Sequence, residues 1–367
     1  MRGQRHRDFA EALARFAAGA ADGRVTAIAE RAAAPLRVAV CGRRGAGRRT
    51  VAAALARAGI ASGLLVTTPQ YATDQDTGQG QDLVVYVITE VLKPEDIEAI
   101  AAARHPVLAL LNKADLAGSL SGRGGVGPIA AAHTRCAQLS ALAGVPMEPM
   151  IGLLADAALD VLDQDLWAAV RLLAASSGSA PFDCSCDGFL APDNPANPVP
   201  LGLRQRLLDS LDLFGTALAV AAVRRGATEP QVRALLRRVS GVDAVVDKIG
   251  AVGAAARYRR VLDAVAELEA LAVTHEGLEE QISGFLSRDD TLVARMAAAV
   301  DLAQASGLDV GDCDDPAAHL ARATRWQRYI FQSRGNCGPV SDLHRACGAD
   351  IARGSLRLWS QTHGPLS

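Results

Sequence analysis

Lysine is nearly absent from this sequence. It occurs only at positions 93, 113 and 248, although Lys and Arg together number 38 in 367 residues. The preference for Arg matches a high-GC coding bias, and it weakens any argument from a single Lys-to-Arg difference. Aromatic residues are also scarce, at 4%. A chain rich in Ala and poor in rings buries its core mainly as packed helices, because Ala has the best helix propensity. Neither sign of charge dominates: 40 acidic side chains face 38 basic ones, a net of -2. That balance excludes broad electrostatic attraction to nucleic acid. No apolar run approaches the roughly 20 residues of a membrane span. The longest, Leu213 to Val223, reads as a buried helix. No secretory leader is expected, since Met1 to Asp8 is polar and basic. The seven cysteines are odd in number, scattered and without a C-x-x-C pair. Reduced thiols and a cytoplasmic location are expected, with peripheral membrane contact left open.

The length allows two domains, or one with a long helical appendage. Residues 7–33 read as a helix broken near Gly19 to Gly23, with Phe9, Leu13, Phe16 and Ala17 at helical spacing. Leu36 to Cys41 is a β-rich run, followed by a glycine-rich turn and an Ala-rich helix to about Ala58. Gly63–Thr67, Leu83–Ile88 and Val107–Leu111 read as buried parallel strands, with a weaker one at Pro146–Ile151. Lys93–Ala103 reads as a crossover helix with Pro94 in its first turn, and Gly118–Gly127 as a loop. Residues 176–200 hold Pro181, Pro192, Pro195, Pro198 and Pro200 and read as a linker. Beyond them the pattern is helical: 202–223, 228–238, 242–272, 276–286, 290–305, 316–332 and 339–359. The expected organisation is an N-terminal helix (1–34) packing with a C-terminal bundle (201–367), and between them an α/β domain (35–175) whose parallel sheet carries flanking helices.

The turn after the first strand runs Gly42-Arg43-Arg44-Gly45-Ala46-Gly47-Arg48-Arg49-Thr50. Glycines there let backbone N–H groups face an anion, and a following helix N-terminus adds partial positive charge. Gly42 and Gly47 have the spacing of G-x-x-x-x-G-K-[ST], with Gly45 between them. Arg48 stands where that pattern has Lys, and Arg49 where it has the Mg²⁺-binding hydroxyl. Thr50 is one residue late, a rotation of roughly 100° about a helix axis. Arg attracts phosphate but does not replace a compact ammonium. Gly42, Gly45, Gly47, Arg48, Arg49 and Thr50 are therefore the expected phosphate-binding set, without a clear metal ligand.

Asn112-Lys113-Ala114-Asp115 follows an expected buried strand. A carboxylate at Asp115 accepts two hydrogen bonds from the N1–H and N2–H₂ edge of guanine, which adenine lacks. A bidentate contact of that kind discriminates by roughly 1–3 kcal/mol. The Lys113 stem covers the flat base, and Asn112 ties this loop to the phosphate turn.

Residues 36–155 resemble the P-loop G domain of a GTPase, and the longer pattern resembles the actinobacterial members of the bacterial dynamin-like GTPases. The resemblance rests on Pro35 to Val40, Asp82 to Ile88, the Asn112 motif, Pro149 to Ala155, Leu207 to Gly215 and Ser240 to Val242. It implies a G domain plus a helical bundle, a GTP or GDP ligand, and association with a second copy or a paralogous GTPase. It also implies that Gly152 lies in the fifth motif, contacting the base from its backbone. The departures point one way. Thr67-Thr68-Pro69-Gln70 stands where the family has D-x-P-G, and there is almost no room for the switch loop with its catalytic Thr. Asp74 and Asp76 lie nearby at a spacing that fits no motif. Phosphoryl transfer depends on positioned charge and Mg²⁺, so the expectation is guanine-nucleotide binding with little or no hydrolysis, and no catalytic residue.

Three alternatives stay open. One is an active membrane-remodelling GTPase with Arg48, Asp74 or Asp76 rebuilding the site. Another is an NADP-dependent oxidoreductase that uses Gly42, Gly45 and Gly47 as a dinucleotide turn. The third is an interaction scaffold with an empty pocket. Elsewhere, Cys337, His344 and Cys347, with His319 and Cys313 near, form a weak zinc pattern, and Cys184 and Cys186 flank Ser185. Arg322, Arg325 and Arg328 with Trp326 read as a solvated basic stripe, or as a contact for lipid headgroups or an acidic partner.

Overall fold

The computed structural model describes residues 5–68, 80–118, 127–160, 162–176, 186–191, 198–275, 277–311, 315–332 and 339–363. The chain forms two compact units, Met1–Leu36 with Gly250–Ser367 and Arg37–Ile249.

The first unit opens with α1 (Arg5–Ala20) and α2 (Gly23–Ala33). The break falls at Ala21, which takes a positive φ of 50°, and Asp22 then caps α2 by accepting from the Arg24 N–H at 2.8 Å.

The second unit is built on β1 (Leu36–Gly42), α3 (Arg48–Gly59), β2 (Leu64–Thr67), β3 (Leu83–Thr89), α4 (Pro94–Ala101), β4 (Val107–Asn112), α5 (Pro128–Ala143), β5 (Met147–Met150), α6 (Gly152–Leu159) and α7 (Gln164–Ala175). It continues through α8 (Cys186–Leu190), α9 (Leu201–Arg224), α10 (Glu229–Ser240) and the start of α11 (Val242–Val252). The five strands form one parallel sheet in the order β2-β1-β3-β4-β5. Residues 83–88 of β3 and all of β4 are buried, as continuous apolar runs in a sheet covered on both faces require. All four apolar runs read as strands in the sequence are strands, and α4 fills the expected crossover. Strand order reverses at β1: β2 lies on one side and β3 on the other. In sheets of this kind the crevice beyond the carboxyl ends of the strands at that reversal is the usual ligand position.

The domain boundary differs from expectation. Residues 201–249 belong with the sheet, not with a separate bundle. Leu207, Leu211, Ala219 and Val220 of α9 and Val232 and Leu236 of α10 share a buried cluster with Ala109, Leu111 and Leu154. Gly215 permits this packing, because a Cβ there collides with the Leu154 side chain. The Pro-rich stretch is also more than a linker where it is described. Phe189 is fully buried, and buried Arg204 donates to the Phe189 and Ala191 carbonyls at 2.7 and 2.9 Å.

The first unit resumes with α12 (Ala254–Thr274), α13 (Glu279–Ser287), α14 (Asp289–Ala305), α15 (His319–Gln332) and α16 (Pro339–His363). Phe9, Leu13, Val25 and Ile28 pack with Tyr258, Leu268, Ala299 and Ile351. Buried Asp350 accepts from the Tyr258 hydroxyl and from Arg295, both at 2.9 Å. The helix expected over 242–272 is two helices divided at Gly253, and the Arg257 side chain crosses the break to the Gly250 carbonyl.

Helix α9 is interrupted at Asp212, whose φ of 57° and ψ of 178° lie in a region that essentially only glycine adopts. Asp212 starts the second half-helix: its Oδ1 accepts from the Leu213 N–H and its carbonyl from the Thr216 hydroxyl, both at 2.6 Å. Such strain costs about 1–3 kcal/mol, whereas exchanging a capping Asp for Gly costs a few tenths. Asp212→Gly is therefore expected to stabilise the unit by about 1 kcal/mol, raising its Tm by roughly 2–4 °C; an unchanged or lower Tm contradicts the strain argument.

Candidate functional site

At the carboxyl end of β1 the chain turns through Gly42, Gly45 and Gly47, with φ of 135°, 88° and 84°. A side chain at Gly42 would strike the Val87 carbonyl of β3, so glycine is required both by φ and by space. The Ala46 N–H closes the turn on the Arg43 carbonyl at 3.3 Å, and the Val51 N–H begins α3 on the Gly47 carbonyl at 3.0 Å. Gly47 sits at the N-cap, and no side chain caps the helix. The first turn of α3 therefore presents unoccupied backbone donors.

Arg48 and Arg49 occupy that same turn, which holds no acidic residue. Two cations there oppose the helix dipole, by about 0.3–1 kcal/mol each at an exposed site. Neither has an ion-pair partner among the described residues. A locally unfavourable arrangement with no counter-charge among the described residues suits an anion. Arg48 also lies near Cys41: burial raises the Cys41 thiol above its ordinary value, and the Arg48 charge partly opposes that. Thr50 is half-buried, one residue further along the helix.

Arg43, by contrast, leaves the turn. Its Nε donates to Asp96 Oδ1 at 2.8 Å, where the carboxylate is fully buried. Asp96 also accepts from the Tyr86 hydroxyl at 3.1 Å and from the Lys93 N–H at 2.9 Å, capping α4. Burial, followed by the Asp96 charge, raises the Tyr86 hydroxyl well above its ordinary value. This anchor was not legible in the sequence, because Arg43 and Asp96 are 53 positions apart and match no motif.

Asn112, 4% exposed at the end of β4, joins three loops. Its Nδ2 donates to the Ala46 carbonyl in the glycine turn at 2.9 Å, and its Oδ1 accepts from the Gly152 N–H at 2.9 Å. A side chain at Gly47 would collide with the Asn112 amide. The expected tie to the glycine turn is present. The Gly152 donor is committed to Asn112, so Gly152 positions the loop and its N–H is not free for a ligand. The preceding residue is fixed as well: the Ile151 N–H donates to the Ser240 carbonyl at 2.9 Å, another contact with no sequence signal.

Lys113 is exposed and left-handed, with φ 57°, and Asp115 is 6% exposed. Among the described residues, no group of another residue hydrogen-bonds the Asp115 carboxylate. Burial pushes its carboxyl above the ordinary value; its own backbone N–H and Lys113 oppose this, while the Asp212 charge adds to it. Gly42, Gly45, Gly47, Arg48, Asn112, Asp115 and Gly152 thus gather at the carboxyl ends of β1, β4 and β5. Pro69, Gln70, Asp74 and Asp76 lie outside the described residues, and Thr67 reaches the Val38 carbonyl at 3.5 Å.

The other sequence constellations resolve differently. Cys337, Cys313 and Cys184 lie outside the described residues, and Cys186 is exposed. Cys347 is buried, bonds the Ala299 carbonyl at 3.1 Å, and has its thiol pushed up to about 12, chiefly by burial. His344 faces Ser306, and buried His319 faces Arg322. No group of three His, Cys, Asp or Glu side chains suited to a metal occurs among the described residues. The basic stripe is not a uniform solvated face. Arg322 and Trp326 are each 3% exposed, Arg322 donates to the buried Ser355 hydroxyl, and Arg325 pairs with Asp309. No described helix is long and apolar enough to cross a membrane. In comparisons with known proteins, no family model and no curated protein matches the chain.

Proposed function

We propose that the sheet unit binds a guanine nucleotide with little or no hydrolysis, as a degenerate relative of the dynamin-like P-loop GTPases. The observation that carries this reading is the Asn112 side chain, which holds the glycine turn and the start of α6 at one point beside a buried Asp115 that no other described residue hydrogen-bonds. An acceptor-only carboxylate suits the paired donors of guanine. At the phosphate end, backbone donors and the unpaired Arg48 and Arg49 supply the positive charge, in place of a Lys and a metal-binding hydroxyl. Binding is therefore expected to be insensitive to Mg²⁺, and turnover very slow, since phosphoryl transfer needs the metal and a positioned nucleophile. Its role is then regulatory or structural, with a second copy or a paralogous GTPase as the partner; sedimentation with and without GDP tests that association.

The direct test is to release and identify the copurifying nucleotide, then titrate GDP, GTP and ATP with and without Mg²⁺. Guanine-selective, metal-insensitive binding supports the reading; absence of binding, or GTP turnover at ordinary GTPase rates, overturns it. Asp115→Asn sharpens the test, because an amide offers a donor where the carboxylate offers only acceptors. GDP affinity is expected to fall about 10- to 100-fold, and XDP, with a carbonyl in place of the 2-amino group, to gain. The pH dependence has a definite sign. Asp115 holds a proton more readily than usual in the free protein, and guanine requires the ionised form. GDP affinity should therefore weaken on acidification toward that raised pKa.

A further inference from the structure

A cavity of about 450 Å³ opens where β3 and β4 end beside α5. Small-molecule pockets run from about 300 to 1,000 Å³. Leu111, Leu116 and Ala131 form its apolar part, and Lys113, Arg135 and Glu90 bring charge to it. Asn112, Asp115, Gly152 and the glycine turn are not among its lining residues, whereas Lys113, whose stem is assigned to the face of the base, also lines it.

Three features mark it as a binding site. Leu116 is 56% exposed, a large apolar side chain left facing water. Arg135 is half-buried, and its described bond is to Gln138 on its own helix at 3.4 Å, with no carboxylate partner among the described residues. Glu90 and Lys113 both hold left-handed backbone, at φ 55° and 57°, without being glycine. Strain of that kind persists where surrounding structure enforces it, and it clusters at ligand sites.

The charges select the ligand class. Among the described lining residues two cations and one anion leave a single net positive charge, which one anionic group neutralises. A dianion or polyphosphate would face uncompensated repulsion from Glu90. The apolar wall calls for a hydrocarbon body beside that anionic group. We propose that this cavity binds a small amphipathic carboxylate, with a body of about six to ten carbons and its head held by Arg135 and Lys113.

The test is calorimetric titration of the full chain with octanoate, butanoate and octylamine. Octanoate is expected to saturate and to bind at least about tenfold tighter than butanoate, since each buried methylene adds to affinity. Octylamine is expected not to saturate. Arg135→Gln should weaken octanoate about tenfold, and Ala131→Phe, which fills the cavity, should abolish binding. Equal binding of octanoate and octylamine by the wild-type chain, or no effect of either folded variant, overturns the proposal. The comparison of ligands on the wild-type chain decides it even where a variant fails to fold.

Discussion

Asp96→Ala is expected to lower the stability of the sheet unit by about 3–5 kcal/mol. The carboxylate is fully buried and serves three donors: Arg43 Nε, the Tyr86 hydroxyl and the Lys93 N–H. Truncation leaves the Tyr86 hydroxyl without that acceptor, removes the cap of α4, and strips the Arg43 guanidinium of its counter-charge. An unpaired buried polar group costs about 1–3 kcal/mol and a lost cap about 0.5–2 kcal/mol. The Arg43 side chain is 28% exposed, so water partly compensates it, and the terms do not simply add. Asp96→Asn keeps an acceptor for the backbone N–H and loses the charge, and should cost about half as much. Hydrogen exchange at the β3 amides measures this unit apart from the helical one. A change below about 1 kcal/mol would show that the pair is dispensable. Because Arg43 belongs to the glycine turn, the same substitution should also weaken GDP binding.

Asn112→Ala combines a structural with a functional loss. The amide orientation is fixed by its partners, since the Ala46 carbonyl only accepts and the Gly152 N–H only donates. Alanine leaves both groups unpaired in a buried setting, an expected loss of about 2–4 kcal/mol. The glycine turn and the start of α6 are then no longer held together, and GDP affinity should drop by at least about tenfold. Asn112→Asp discriminates between causes. A carboxylate still accepts from Gly152 but repels the Ala46 carbonyl, so stability should fall while the contact to α6 persists. If Asn112→Ala melts like the parent and binds GDP equally well, the three-loop tie carries no weight in the site.

Features whose cause is local were legible in the sequence. The buried strands are continuous apolar runs, and their order along the chain with intervening helices implies parallel pairing. Gly42, Gly45 and Gly47 announce a turn because only glycine takes such φ values freely. The Asn112 to Asp115 loop follows its strand as its spacing implied. The bounds of the helices read from the sequence mostly matched for the same reason, apart from the division at Gly253 and the interruption at Asp212, but α5, α6, α7 and α8 were not read from it at all.

What only the tertiary structure decided concerns partners distant in the chain. The tie from Asn112 to the glycine turn was expected from its motif, but its second bond, to the Gly152 N–H 40 positions on, has no signal in the sequence. Whether Gly152 offers its N–H to a ligand or spends it on Asn112 depends on that meeting. Residues 201–249 read as part of a helical bundle because their periodicity is helical, but periodicity reports a buried face and not what buries it. Leu154 against Gly215 settles that they cover the sheet. Arg322 and Trp326 turn inward for the same reason: a helical stripe of Arg looks solvated until Ser355 and His319 are found opposite it. The sequence by itself determined the elements and the chemistry available at their ends. The tertiary structure decided which ends meet, because long-range contacts are set by packing across the fold and leave no local trace.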